Sequence, residues 1–200
     1  MTLTPHPRGL ITLTLGEFCD RYSYYGTLTV LMYYVTHYFS LTSTHAYQLW
    51  GIYCALGFVT PILGGYIADN YWGLLRTQRL GLLYILCGLT LLCVSALQHY
   101  YALLLGMAIF CVGIGLYKPN VTSLIGALYT ADDASGRNRG YTVFSLGMVS
   151  GAMLGPLCYG ILLQQLGCWG YACALSVCIH AGCLLGWALQ AQRCRWLNLP

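Results

Sequence analysis

Three ionisable side chains, Glu17, Asp20 and Arg21, stand inside one apolar stretch of this sequence, and a fourth, Lys118, stands inside another. The i, i+3, i+4 spacing of the first three places them on one face of a helix. Two carboxylates and a cation on one face can form an ion pair, exchange a proton or meet a charged solute. At mid-membrane depth each charge costs about 2.5–3.5 kcal/mol on insertion scales. Such groups face a partner charge or a water-filled cavity, and by default they mark an ion or substrate pathway.

Lys118 lies in Gly113-Ile-Gly115-Leu-Tyr117-Lys118-Pro119-Asn120. At a rise of about 1.5 Å per residue, Arg21 is about 16 Å from the start of the first apolar stretch, and Lys118 about 16 Å from the end of the fourth. Those stretches run in opposite directions, so the two cations can meet at one level. With Glu17 and Asp20 they sum to zero, as a buried network should. Protonating one carboxylate would free a cation to change partner and so bias one conformation over another. Pro119 allows a kink where Lys118 projects. The plainer alternative is a static buried ion pair that joins helices.

The elements that must position these groups are membrane spans. The chain of 200 residues is 58% hydrophobic and 7% charged, against about 25% charged residues in soluble domains. Six apolar stretches, each long enough to cross a bilayer, fall near 10–37, 46–69, 75–97, 101–128, 139–163 and 168–191. Little chain remains for loops, which excludes a soluble catalytic domain. The expected fold is all-α and integral to the membrane: one domain over 1–200, a six-transmembrane-helix bundle of two three-helix repeats with no sheet.

Arg8, Arg76, Arg79, Arg137, Arg139, Arg193 and Arg195 all fall at the termini or in the even-numbered loops. The positive-inside rule puts both termini in the cytoplasm, with the bacterial cytoplasmic (inner) membrane as the expected location. The net charge of +4 is a topology signal; without a basic patch interleaved with aromatics, nucleic acid is not an expected partner. The start, Met1 to Arg8, lacks a signal-peptide pattern, so the first span is expected to act as an uncleaved anchor.

Eleven cysteines are scattered without a CxxC. Cys168, Cys173, Cys178 and Cys183 recur every five residues, which turns about 140° per step and makes no ligand face. They read as small packing residues. Tyr33, Tyr34, Tyr38, Tyr47, Tyr100 and Tyr101 fall near span ends, as an aromatic belt would, whereas Tyr24 and Tyr25 follow the charged face of the first span. His180 reads as a hydrogen-bonded core histidine. Asp69, Gly73 and Arg76 bracket a cytoplasmic turn, where an acid and a base can latch neighbouring helices. Gly147, Gly151 and Gly155, four apart, make a smooth face for close helix approach. No nucleophile with a base, phosphate loop or metal-ligand spacing is present, so neither an enzyme nor a cofactor is expected.

Glu17-x-x-Asp20-Arg21-x-x-Tyr24-Tyr25-Gly26 resembles the ExxERFxYYG signature of proton-dependent oligopeptide transporters of the major facilitator superfamily. Gly113 to Tyr129 resembles that family's helix-four motif, Asp69 and Gly73 its loop between helices two and three, and Arg139-Gly140-Tyr141-Thr-Val-Phe144 its helix-five entry. The resemblance implies proton-driven symport of di- and tripeptides by alternating access, with protons as the coupling ion. Carried over by position, Glu17 and Asp20 would be proton-linked carboxylates, with Arg21 and Lys118 as their partners. Arg21, Tyr24, Tyr25, Lys118 and Asn120 would meet the peptide.

Departures from the family pattern thin the polar recognition groups. Asp20 replaces a glutamate, Phe58 a tyrosine, Val149 an asparagine and Leu28 a polar residue, and Asn70 and Leu74 weaken the loop motif. The resemblance covers the N-terminal six-helix half of such transporters. It therefore implies a second six-helix half, or a second copy of this chain, as partner; the alternative is a truncated remnant that does not transport.

Overall fold

The computed structural model describes residues 8–193 apart from 96, 98, 131 and 168. The expectations for the first seven residues, for Cys168 and Cys194, and for Arg195 lie outside the described residues. Six helices follow one another: α1 (Arg8–Tyr38), α2 (Ser43–Ile67), α3 (Leu74–Ser95), α4 (Tyr100–Ala127), α5 (Ala134–Leu166) and α6 (Trp169–Arg193). A π-helical turn, Ala68–Trp72, continues α2, and no strand occurs among the described residues. Five of the helices, α2 to α6, are long and apolar enough to cross a membrane by length and composition. The 31-residue α1 matches them in length and differs in carrying Glu17, Asp20 and Arg21.

The limits depart most from expectation at α5, which starts at Ala134 rather than near 139. Asp133 caps it, its side chain accepting from the Gly136 amide at 2.8 Å, as short carboxylates do at helix starts. Arg137 and Arg139 therefore ride on the first turns of α5 and not in a loop. Gly73, at φ 75°, is the single residue between the π turn and α3, and only a residue without a Cβ takes that conformation freely.

Packing follows a repeat. The touching pairs include α1–α5, α1–α6, α2–α4, α3–α4 and α3–α6. Exchanging α1 with α4, α2 with α5 and α3 with α6 turns that set into itself, the signature of two three-helix repeats.

Glycines set the closest approaches. In the α3–α4 hairpin, Gly81 and Gly88 face Gly113 and Gly106, seven residues apart on each helix. A Cβ on Gly88 would meet the Phe110 amide nitrogen at 2.6 Å, and one on Gly113 the Ile85 nitrogen at 2.6 Å. The sequence reading did not single out this seam. Between α1 and α5, Gly147, Gly151 and Gly155 lie against Thr14, Phe18 and Tyr22. The last two contacts are to backbone carbonyls, so any side chain there would push the helices apart. Residues advance in step on both helices, so α1 and α5 run parallel.

One aromatic expectation is corrected. Tyr33, Tyr47 and Tyr101 are exposed as a belt requires, but Tyr34 is wholly buried. Its ring stacks on Trp169 at 4.6 Å, its hydroxyl donates to the Ser95 carbonyl at 2.7 Å, and Trp169 Nε1 donates to the Leu92 carbonyl at 3.0 Å. Together these tie α1, α3 and α6 at one end of the bundle. The outer faces of α2 and α5 show Phe58, Ile62, Leu146, Val149 and Met153, the apolar exterior of a protein solvated by lipid or by another bundle.

Candidate functional site

The middle of α1 carries Glu17, Asp20 and Arg21; α5 packs along it, and α2, α4 and α6 also touch α1. Arg21 Nε donates to Glu17 Oε1 at 2.7 Å, one helical turn apart. Glu17 is 1% exposed and Asp20 fully buried. Glu17 Oε2 and both Asp20 oxygens make no hydrogen bond. Buried polar atoms nearly always have partners, so three bare carboxylate oxygens in one place call for an explanation in function.

Lys118 approaches from α4 and is half-buried. Its ammonium stands 4.4 Å from the centre of the Tyr24 ring, a cation–π contact, and not within ion-pair distance of a carboxylate. The four charges are not the fully paired network expected from sequence. One cation is bonded to one acid, the other cation rests on an aromatic face, and the second acid is bare.

Tyr24 is held in turn by α2. It stacks on Tyr53 at 5.1 Å with 20° between planes, and its hydroxyl fills the space above Gly57. Tyr53 and Gly57, i and i+4 on α2, are therefore part of the site. Sequence analysis assigned neither residue to the site. Their signal was the pairing of a small and an aromatic residue on one helix face.

The expected peptide contacts divide. Arg21, Tyr25 and Lys118 reach the surface in part. Tyr24 is buried, and so is Asn120, whose Nδ2 donates to the Leu116 carbonyl at 2.6 Å. The expectation that Asn120 faces substrate is corrected for this conformation, because its amide is turned onto its own helix. In the loop, Asp69 lies within the π turn and Arg76 in the first turn of α3. Both are exposed and they form no ion pair with each other, so the latch expected across this turn is not closed. His180 is buried in α6 with Nδ1 2.9 Å from the Ser176 carbonyl, as expected of a core histidine. Beside it, Cys19 and Cys183 bring their sulfurs to 3.1 Å across α1 and α6. Among the described residues no cluster of metal-ligating side chains occurs.

A six-helix membrane bundle of two repeats, with charge gathered in its middle, defines the class: an integral multi-pass membrane protein whose fold resembles one half of a major facilitator transporter. Residues 76–189 match the POT family profile. The chain belongs to the POT family. It is similar to the uncharacterized transporter YclF of Bacillus subtilis, 36% identical over 167 residues, which cover 80% of this chain and 33% of that one. It is also similar to the di-/tripeptide transporter of Lactococcus lactis subsp. cremoris, 34% identical over 173 residues, covering 82% of this chain and 34% of that one. Among solved structures, a mutant of peptide transporter POT in complex with alafosfalin superposes with a TM-score of 0.88 at 31% identity, over 96% of this chain and 40% of that one. The chain thus spans about a third of the length of the curated relatives it matches.

Proposed function

We propose that this bundle is one half of a proton-coupled symporter for di- and tripeptides. It works by alternating access against a second six-helix half or a second copy, in a bacterial cytoplasmic membrane with both termini inside. The observation that supports this most is the unequal pairing of the four charges, two buried and two half-buried. Arg21 is committed to Glu17, Lys118 only to the face of Tyr24, and Asp20 to nothing by hydrogen bond. A proton placed on Glu17 removes its charge and releases the Arg21 guanidinium, which is 20% exposed. Lys118 is equally free to leave the Tyr24 ring for Asp20 or for a solute carboxylate. Each protonation state then favours a different arrangement of α1 against α4, which is how a ligand or proton shifts a conformational equilibrium.

In this scheme Glu17 and Asp20 carry the proton, Arg21 and Lys118 meet the peptide carboxylate, and Tyr25 lines the approach. Peptide is the substrate class because relatives carry the names di-/tripeptide transporter and peptide transporter. Asp69, Gly73 and Arg76 form the hinge over which α2 and α3 move.

The test is uptake of labelled dialanine into proteoliposomes. The chain is reconstituted alone and together with the second six-helix half of the Lactococcus lactis relative. Accumulation that requires an inward proton gradient in either preparation supports the proposal. Well-inserted protein that takes up nothing in both contradicts it.

A further inference from the structure

α1 and α6 meet through a pair of thiols that neither the ion pair nor the peptide-facing residues use. Cys19 of α1 is buried, and Cys183 of α6 reaches the surface in part. Both are free cysteines, and their sulfurs lie 3.1 Å apart. That separation is about 1 Å longer than a disulfide bond, so a small approach of the two side chains would close one.

The hydrogens on this pair are ordered. The Cys183 sulfur lies 3.9 Å from the Leu15 carbonyl. A carbonyl can only accept, so Cys183 donates to it. The contact between the sulfurs is then made by the Cys19 hydrogen, with Cys183 accepting. Cys183 keeps a second lone pair and is the sulfur that a reagent can reach, while Cys19 stands behind it in the interior. Reactive thiols occupy such partly exposed positions and often have a resolving thiol beside them. The pair is also held in register: one helical turn further along α1, the Ser23 hydroxyl lies 3.5 Å from His180 Nδ1 of α6.

We propose that Cys19 and Cys183 form a redox-active thiol pair, oxidised by an organic hydroperoxide to a disulfide that joins α1 to α6. The class of oxidant follows from the setting. Cys183 lies within the apolar window Trp169–Gly186, where a reagent must dissolve in the bilayer. The Cys183 sulfur attacks the terminal oxygen of the hydroperoxide. The O–O bond breaks, an S–O bond forms, and the thiol proton leaves on the alcohol, so that Cys183 becomes a sulfenic acid. The Cys19 sulfur then attacks the Cys183 sulfur. The S–S bond forms, the S–O bond breaks, and the Cys19 proton leaves with hydroxide as water. Two thiols lose two electrons, and the hydroperoxide is reduced to alcohol and water. The bridge fixes α1 beside Asp20 and Arg21.

Other thiols provide the comparison. Cys87 and Cys178 are exposed. Cys93 of α3 donates to the Gly170 carbonyl at 3.8 Å and meets the buried Cys173 of α6.

The test treats the chain in lipid nanodiscs with cumene hydroperoxide, alkylates the remaining thiols and maps linked peptides by mass spectrometry. The expected result is a Cys19–Cys183 peptide that disappears on reduction and does not form selectively when the chain is first unfolded in detergent. In Cys19→Ser, dimedone should trap a sulfenic acid on Cys183 that the parent does not accumulate. Cys19 and Cys183 both still alkylated after Cys87 and Cys178 have been oxidised, or a bridge only between Cys93 and Cys173, overturns the proposal. So does an equal dimedone yield on Cys183 in parent and variant. If Cys19→Ser does not fold, as judged by circular dichroism, the peptide map of the parent decides alone. The step needs neither peptide nor a proton gradient, so its outcome is separate from that of the uptake experiment.

Discussion

Lys118 of α4 places its ammonium 4.4 Å from the centre of the Tyr24 ring of α1. That ring is backed by Tyr53 of α2 at 5.1 Å, so three helices meet in one contact. A desolvated cation–π contact contributes about 2 kcal/mol. Tyr24→Leu should therefore lower the unfolding free energy in detergent by about that amount, while Tyr24→Phe, which keeps the aromatic face, should retain most of it. Equal losses in the two variants would show that the hydroxyl above Gly57, and not the ring, holds α1 to α2.

Glu17 and Arg21 should be energetically coupled. Removing either partner of a buried pair strands the other. Glu17→Gln and Arg21→Gln should thus cost less together than the sum of the single changes, with a coupling of about 1–3 kcal/mol. Thermal unfolding of the four proteins completes the cycle. Strict additivity would mean the 2.7 Å contact contributes nothing to the fold.

Much of this was legible in the sequence, for a physical reason. Charges, prolines and glycines inside apolar stretches are rare, so Glu17, Asp20, Arg21 and Lys118 announce themselves, and the stretches fix six helices. Partner choice was not legible. Spacing along α1 puts Glu17, Asp20 and Arg21 on one face, but it cannot say that Arg21 takes Glu17 and leaves Asp20 bare. That depends on where α4 sets Lys118 and where α2 sets Tyr53. Tyr34 misled for the same reason: its position near a span end matches a lipid-facing belt, and only the neighbouring α3 and α6 make it core. Asn120 resembles a substrate contact by motif, yet its own helix offers the nearer carbonyl.

The glycine seams should tolerate nothing larger. Gly151→Leu, set against the Phe18 backbone, and Gly88→Val, set against Phe110, should each destabilise by about 1–3 kcal/mol through overpacking. Gly160→Ala, where a Cβ meets open space, should be neutral. Melting temperatures followed by size-exclusion chromatography would separate the two classes, and a neutral Gly151→Leu would remove α5 from the face of α1.

Asp69 and Arg76 are exposed and unpaired with each other, so they should not matter for static stability. Asp69→Asn and Arg76→Gln should each stay within about 0.5 kcal/mol of the parent, as surface substitutions do. If either residue gates, the effect should be found in transport rate alone. A clear drop in melting temperature would mean the latch is already closed in the resting bundle.

The most direct test of the central claim separates proton coupling from substrate movement in Glu17→Gln. Dialanine transport is measured in proteoliposomes in two modes: accumulation driven by an inward proton gradient, and counterflow exchange without one. The account predicts that Glu17→Gln loses accumulation and keeps counterflow, because peptide can still cross while the proton no longer sets the partner of Arg21. Accumulation at the parent level in Glu17→Gln would contradict it.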